Sequence, residues 1–262
     1  MPKTLIVMPT YNEKENIRRM VDALLSLDVP DLSVLIVDDN SPDGTGQIAD
    51  ELTVQHPGQV HVLHRPGKSG LGRAYVAGFT HAIQNLDADY LIQMDMDFSH
   101  QPKYIPQLIH ALEKRGSDIV IGSRYTIGGS VEEKWSFYRK LLSWFANRVY
   151  VHTFLRLPVK DATGGFRIWR REALVGLGLD RIRSNGYVFQ VETAYVANRL
   201  GYTISEIPIH FPDRHAGQSK MGLDIQVEAA LGVFRVLRRY HSLDPSHRHT
   251  LGQMTLLDEP LA

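Results

Sequence analysis

YLIQMDMDFSH, residues 90–100, is an apolar run that stops at two carboxylates one residue apart. Residues 90–94 read as a buried strand, and Asp95 and Asp97 stand where that strand leaves its sheet. On an extended backbone residues i and i+2 point to the same side, so both carboxylates can face one ligand. Two like charges that close repel each other, and a cation between them relieves the repulsion. Hard divalent cations such as Mg²⁺ or Mn²⁺ take oxygen ligands, often one or two carboxylates completed by substrate phosphates. On spacing alone, a metal site and a solvated strand-end turn are equally compatible with the stretch. His100 reads as a structural group behind such a site rather than a ligand.

The same pattern recurs around it. Residues 4–8 (TLIVM), 33–37 (SVLIV), 59–63 and 118–122 (DIVIG) read as further strands. Helical patterns lie between them. One is capped at Asn12, with Glu15 three residues on, and runs to about residue 27; the others cover 47–55 and 74–84. The apolar runs are nearly continuous, as in parallel strands covered on both faces. Alternating β and α units imply an open, doubly wound α/β sheet, whose ligands bind at the carboxyl ends of the strands. Further on, 203–207 reads as a strand. Residues 224–240 read as a helix with Val227, Leu231, Phe234 and Leu237 on one face. No linker divides the chain: residues 1–240 read as one domain and 241–262 as a flexible polar tail.

Bulk properties exclude several classes. The chain has 262 residues, enough for a large core, and its 29 Lys plus Arg balance 29 Asp plus Glu, which argues against a nucleic-acid partner. It has no cysteine, so disulfides and thiolate metal sites are excluded and a reducing compartment fits. MPKTLIVMPTYNE breaks at Pro9, so no signal peptide is expected, and no window approaches the ~18 apolar residues of a membrane span. Gly67-Lys68-Ser69 is not a P-loop, because the required upstream glycine position holds Val62. Pro9-Thr10-Tyr11 lacks the glycines of a dinucleotide fingerprint, and there is no HExxH.

Other residues fall at strand ends. Asp39 can accept hydrogen bonds from a nucleobase or ribose, Tyr11 can stack on a base, and Glu13 can bond a ribose. Their bland alternatives are turn and capping chemistry. Lys68, Arg124, Arg139, Arg214 and Lys220 form a basic set suited to phosphates, although each singly reads as a surface cation. Gly164-Gly165-Phe166-Arg167 suggests either close backbone approach to a ligand or a tight turn.

Taken in order, PTYNE (9–13), VDDNSPDGT (37–45), GLGRAY (70–75), MDMDFSH (94–100), GSRY (122–125), TGGFR (163–167), GYVFQVE (186–192) and FPDRHAGQSKM (211–221) resemble the polyprenyl-phosphate (dolichyl-phosphate) mannose synthases of glycosyltransferase family 2. The resemblance covers residues 4 to about 222. It implies a GT-A fold with a doubly wound, mixed, mostly parallel sheet. The implied reaction is metal-dependent transfer of mannose from GDP-mannose to a polyprenyl phosphate, with inversion. By motif, Pro9, Tyr11, Glu13, Val37 and Asp39 resemble the donor-nucleotide rim, and Lys68, from the basic set, is expected to join them in binding the donor. Asp95, Met96 (through its backbone) and Asp97 resemble the segment that holds Mg²⁺ or Mn²⁺ and the diphosphate, with Asp97 the direct ligand. Ser99 stands where some members carry Gln and, like Asp95, is a further candidate metal ligand. Arg124, Arg139 and Ser143 match positions that hold the acceptor phosphate, and Arg214 and Lys220 match a segment closing over the donor. The implied catalytic set is Asp95, Asp97, Arg124 and Arg214.

An acceptor phosphate is already anionic near neutral pH, so no Ser-His or Cys-His set is needed, and positioning and charge stabilisation remain. The lipid tail implies contact with a membrane surface. Residues 134–157 and 224–240 mix aromatic, aliphatic and basic side chains, as interfacial helices do, although core helices do so too. The resemblance favours docking on the cytoplasmic face of a membrane, alone or with a separate anchoring partner. Two other readings compete: a relative using a UDP-sugar, and a non-catalytic subunit that binds lipid phosphate.

Overall fold

The computed structural model describes residues 2–132, 155–212 and 223–253. Its centre is a seven-stranded sheet in the order β3-β2-β1-β4-β7-β5-β8. The strands are β1 (Thr4–Thr10), β2 (Leu32–Asp38), β3 (Val60–His64), β4 (Tyr90–Gln93), β5 (Ile119–Ser123), β7 (Arg167–Arg170) and β8 (Ile204–Pro208). All pairings are parallel except those of β7, which runs antiparallel between β4 and β5. A small second sheet pairs β6 (Ser130–Val131) with β9 (His210–Phe211) in parallel.

Alternate residues of each strand enter two cores. Leu5, Val7, Leu35, Val37, Leu91 and Trp169 face one layer, with α3 (Leu71–Asn85), α5 (Arg171–Leu177) and α6 (Tyr187–Arg199) packed there. Ile6, Met8, Val34, Ile36, Ile92 and Ile168 face the other, under α1 (Ile17–Leu25), α2 (Thr45–Gln55) and α4 (Ile105–Lys114). Burial on both faces explains the continuous apolar runs. Gly78 lets α3 lie directly on the sheet: a Cβ there would sit 2.6 Å from Val7 Cγ1 and 2.8 Å from Val37 Cγ2.

The expected elements recur with shifted ends, and four points differ. The antiparallel β7 has no counterpart among the expected strands. Asn12 does not cap the first helix. Its φ is 61°, its N–H donates to Ser41 Oγ at 3.1 Å, and the helix begins at Ile17. On α7 (Leu223–Tyr240) Leu237 packs on the core as expected, with Val233, Val236 and Tyr240, whereas Phe234 is 46% exposed beside exposed Arg235 and Arg238; the side chains of Val227 and Leu231 lie outside the described residues. Finally, residues 241–253 of the expected tail are tied to the domain. Arg199 donates to the carbonyls of Leu243 and His241, Arg248 Nε to Leu200 O, and His249 N to Gly176 O.

Candidate active site

Strand order reverses at β1, which has β2 and β3 on one side and β4 on the other. The carboxyl edge at such a reversal opens a crevice. Tyr11 and Glu13 leave β1 there, Asp39 leaves β2, Asp95 and Asp97 leave β4, and Arg124 leaves β5. Because β7 runs the opposite way, it begins at this same edge, which brings Gly164 and Gly165 to the crevice.

The β1 and β2 loops interlock. Besides the Asn12 bond, Glu13 N donates to Thr45 Oγ1 at 2.9 Å and Lys14 N to Asp43 Oδ2 at 3.1 Å. Pro9 and Val37 are direct cross-strand partners beneath them. The Glu13 carboxylate accepts from the Asn16 amide at 2.8 Å, at the start of α1. Lys68 Nζ lies 4.0 Å from the centre of the Tyr11 ring, a cation–π contact. Asp39 is 5% exposed and pairs with Arg65 Nη1, while Arg65 Nη2 binds Ser69 Oγ. Burial raises the Asp39 carboxyl above its ordinary range, and Arg65 partly offsets it. Neighbouring Asp38 is a structural group: its Oδ1 accepts from Ser41 Oγ at 2.6 Å.

At the end of β4 the chain folds back on itself. Phe98 takes φ 62°, and Asp97 Oδ1 accepts from Ser99 N (3.0 Å) and Ser99 Oγ (2.5 Å). Ser99 is therefore an orienter of Asp97 in this conformation. Met96 is 2% exposed and belongs to the core beneath α1, α2 and α4. Asp95 Oδ1 accepts from the Tyr75 hydroxyl at 3.1 Å, and Asp95 N donates to His100 Nδ1 at 2.9 Å. Burial, then the Asp95 charge, push the Tyr75 phenol well up, so it stays a donor. The imidazole of His100 stacks on Phe166 at 5.1 Å.

On the β5 side the Arg124 guanidinium is bidentate on Asp161, and its Nη2 also reaches Thr163 Oγ1 at 2.8 Å. The sequence reading expected a phosphate clamp; in this conformation the guanidinium already engages a buried carboxylate. Glu206 in turn accepts from the main-chain N–H groups of Lys160 and Asp161. Arg167 is fully buried and caged by the carbonyls of Gly164, Gln190 and Ala162 and by Thr193 Oγ1. Burial pushes its guanidinium down to about 10. Arg65, Tyr75, Asp161 and Arg167 were missed as site residues. TGGFR held a signal for Arg167, but nothing local tied the others to it. Arg139, Ser143, Arg214 and Lys220 lie outside the described residues, as does most of 134–157. The last described residues before two of these stretches adjoin, with Glu132 N bonded to Phe211 O at 2.9 Å.

The donor set suits a hard divalent cation: two carboxylates on one strand end, one held by a hydroxyl and one by a phenol. Among the described residues no three or more His, Cys, Asp or Glu are grouped to hold a metal.

The model of the Glycosyl transferase family 2 domain matches residues 5–178, from β1 through the crevice residues and β7. The chain belongs to glycosyltransferase family 2. Its relatives include an undecaprenyl-phosphate mannosyltransferase of Micrococcus luteus, 44% identical over 89% of this chain and 93% of its own. A polyprenol monophosphomannose synthase of Mycolicibacterium smegmatis is 42% identical over 84% of this chain and 81% of its own. Solved structures share the fold. A Pyrobaculum calidifontis mannosyltransferase in complex with GDP-Man and Mn²⁺ has TM-score 0.63 at 18% identity, covering 94% of this chain and 67% of that one. A Mycobacterium tuberculosis glucosyl-3-phosphoglycerate synthase with Mn²⁺ and UDP also has TM-score 0.63 at 18% identity, covering 91% and 79%. As the resemblance implied, the fold is a GT-A-like α/β fold with a mixed, mostly parallel sheet.

Proposed function

We propose that this family-2 glycosyltransferase moves mannose from GDP-mannose to the phosphate of a polyprenyl phosphate, giving polyprenyl-phosphate β-mannose and GDP. The observation that carries this reading is the 44% identity, over 89% of the chain, to an undecaprenyl-phosphate mannosyltransferase.

The acceptor phosphate brings its own negative charge, so its oxygen attacks the anomeric carbon without a general base. The new carbon–oxygen bond forms as the bond to the GDP β-phosphate breaks, the electron pair leaving with GDP and the configuration inverting. A bound Mg²⁺ or Mn²⁺ supplies charge stabilisation for the leaving diphosphate. Asp97, oriented by Ser99, would hold that ion, with the Met96 main chain and Asp95 as the further groups that would face the ion and the donor. Tyr11, Lys68, Asp39 and Glu13 wall the nucleoside, over Pro9 and Val37. Arg124, braced by Asp161, shapes the acceptor side. Arg139 and Ser143 bind the acceptor phosphate, and Arg214 and Lys220 meet the donor diphosphate.

Among the described residues no helix is long and apolar enough to cross a membrane. The lipid is reached from the cytoplasmic face, with Phe234, Arg235 and Arg238 of α7 turned to the interface, with or without an anchoring partner. Failure to sediment with anionic liposomes containing polyprenyl phosphate would remove this docking model.

The activity test is a donor-by-acceptor assay with radiolabelled GDP-mannose or UDP-glucose, polyprenyl phosphate, and a chelator arm. Label should enter the lipid phase from GDP-mannose alone and stop on chelation. Label from UDP-glucose alone favours the UDP-sugar relative; no transfer from either favours a binding subunit.

A further inference from the structure

Tyr75 is fully buried in α3, where an apolar residue would satisfy packing alone. A buried phenol needs a hydrogen-bond partner, and this one has found Asp95 Oδ1 at 3.1 Å rather than a main-chain carbonyl. Its ring is clamped between Phe79 and Phe189, both 5.7 Å away centre to centre and near parallel at 24° and 3°. The hydroxyl therefore has one direction to point.

The helix is shaped to deliver it. Gly72, Tyr75 and Gly78 lie at successive i+3 spacings on one buried face. A Cβ at Gly72 would meet Ser184 O at 2.3 Å, and one at Gly78 would meet Val7 and Val37. The two glycines allow close approach on either side of Tyr75, which carries the phenol beneath the end of β4. Asp95 is gripped from a second direction through its main chain, whose N–H donates to His100 Nδ1. Oδ1 is taken by the phenol, Oδ2 lies 3.9 Å from His100 Nδ1, and the side chain as a whole remains 31% exposed.

We infer that Tyr75 is a positioning residue for the donor site: its hydroxyl fixes the Asp95 carboxylate in the orientation that receives the metal–diphosphate group, while His100 fixes the Asp95 main chain. This rests on the proposed role of Asp95 and Asp97. A held carboxylate does not reorganise on binding, which is how preorganisation strengthens a polar site.

The test is Mn²⁺ binding to the full chain in the presence of GDP, read as free Mn²⁺ by electron paramagnetic resonance, with Tm and transfer kinetics alongside. Tyr75→Phe keeps the aromatic stack and removes only the hydroxyl. It should weaken Mn²⁺ binding by about tenfold or more, as expected for loss of a hydrogen bond to a charged group, and raise the Mn²⁺ activation constant equally. At saturating Mn²⁺ its kcat should stay within about twofold of the parent and its Tm should hold. Phe79→Leu disturbs the same stack without touching the hydroxyl; it should lower Tm and leave Mn²⁺ binding intact. Parent-like Mn²⁺ binding in Tyr75→Phe, with Asp95→Asn and Asp97→Asn both weakened, overturns the role of Tyr75 alone. Equal weakening in Tyr75→Phe and Phe79→Leu overturns it too, since packing then explains both. Parent-like binding in both Asp variants overturns the acidic-pair reading itself.

Discussion

Arg124 and Asp161, 37 positions apart, meet in a bidentate pair, with Nε 2.8 Å from Oδ2 and Nη2 2.7 Å from Oδ1. The carboxylate is fully buried and also accepts the Arg124 main-chain N–H at 2.9 Å. Removing one partner of a buried pair strands the other charge and costs on the order of 3–5 kcal/mol. Asp161→Asn should cost about 3 kcal/mol in urea unfolding, and acceptor KM should rise more than donor KM. Equal stability in the variant would mean that the pair does not brace this edge.

Burial pushes the Asp161 carboxyl up, but the charge and hydrogen bonds of Arg124 outweigh it, leaving it below the ordinary 3.8. A depressed carboxyl stabilises the fold above its unfolded value, and that contribution is lost as pH falls through the folded value. The parent should therefore lose stability below about pH 4 more steeply than Asp161→Asn. Acid titration of Tm for both proteins checks this.

His64 behaves in the opposite sense. The hydrogen bond to Asp50 (2.9 Å) raises its imidazole above 6.5 against partial desolvation, with added help from the charges of Asp50 and Asp38. Its contribution is complete below the unfolded value and is lost as pH rises through the higher folded one. The group is about half exposed, so the effect stays below about 1 kcal/mol. His64→Gln should lose Tm relative to the parent at pH 5.5 and match it at pH 8.5; an equal deficit at both would exclude titration.

Among the described residues Arg167 carries its charge with only neutral atoms in hydrogen-bond contact, three of them carbonyls of the 162–164 turn and α6. Arg167→Met strands those carbonyls, each at roughly 1–3 kcal/mol. The expected outcome is a strongly destabilised protein; Arg167→Lys recovers part of the loss because one ammonium cannot span the cage. Chemical denaturation of both variants ranks them.

Gly78→Ala drives a methyl into Val7 and Val37, and overpacking of this kind costs about 1–3 kcal/mol. Calorimetry should show the loss, and Val37→Ala in the same chain should restore part of it.

Much of this was legible in the chain. Strands covered on both faces must be apolar at every position, so β1, β2 and β5 announce themselves. Carboxylates at their ends stand out because a charge directly after such a run has to leave the sheet. β7 was hidden: Arg167–Arg170 is short, charged at both ends and preceded by glycines. Asn12 misled for a related reason, since a capping signal counts only local partners, and its actual partner is Ser41.

Local periodicity and ordered motifs were enough for the fold class, the family and the acidic pair, because those depend on residue spacing along one chain segment. The partners that give each site residue its orientation were settled by packing. Tyr75 reaches Asp95 because two glycines let α3 approach. Arg65 reaches Asp39 from the next strand, and Asp161 turns Arg124 from a surface cation into half of a buried pair. Such contacts join residues 20 to 37 positions apart. Their strength comes from burial in a low dielectric, a property of the assembled molecule rather than of any single stretch of residues.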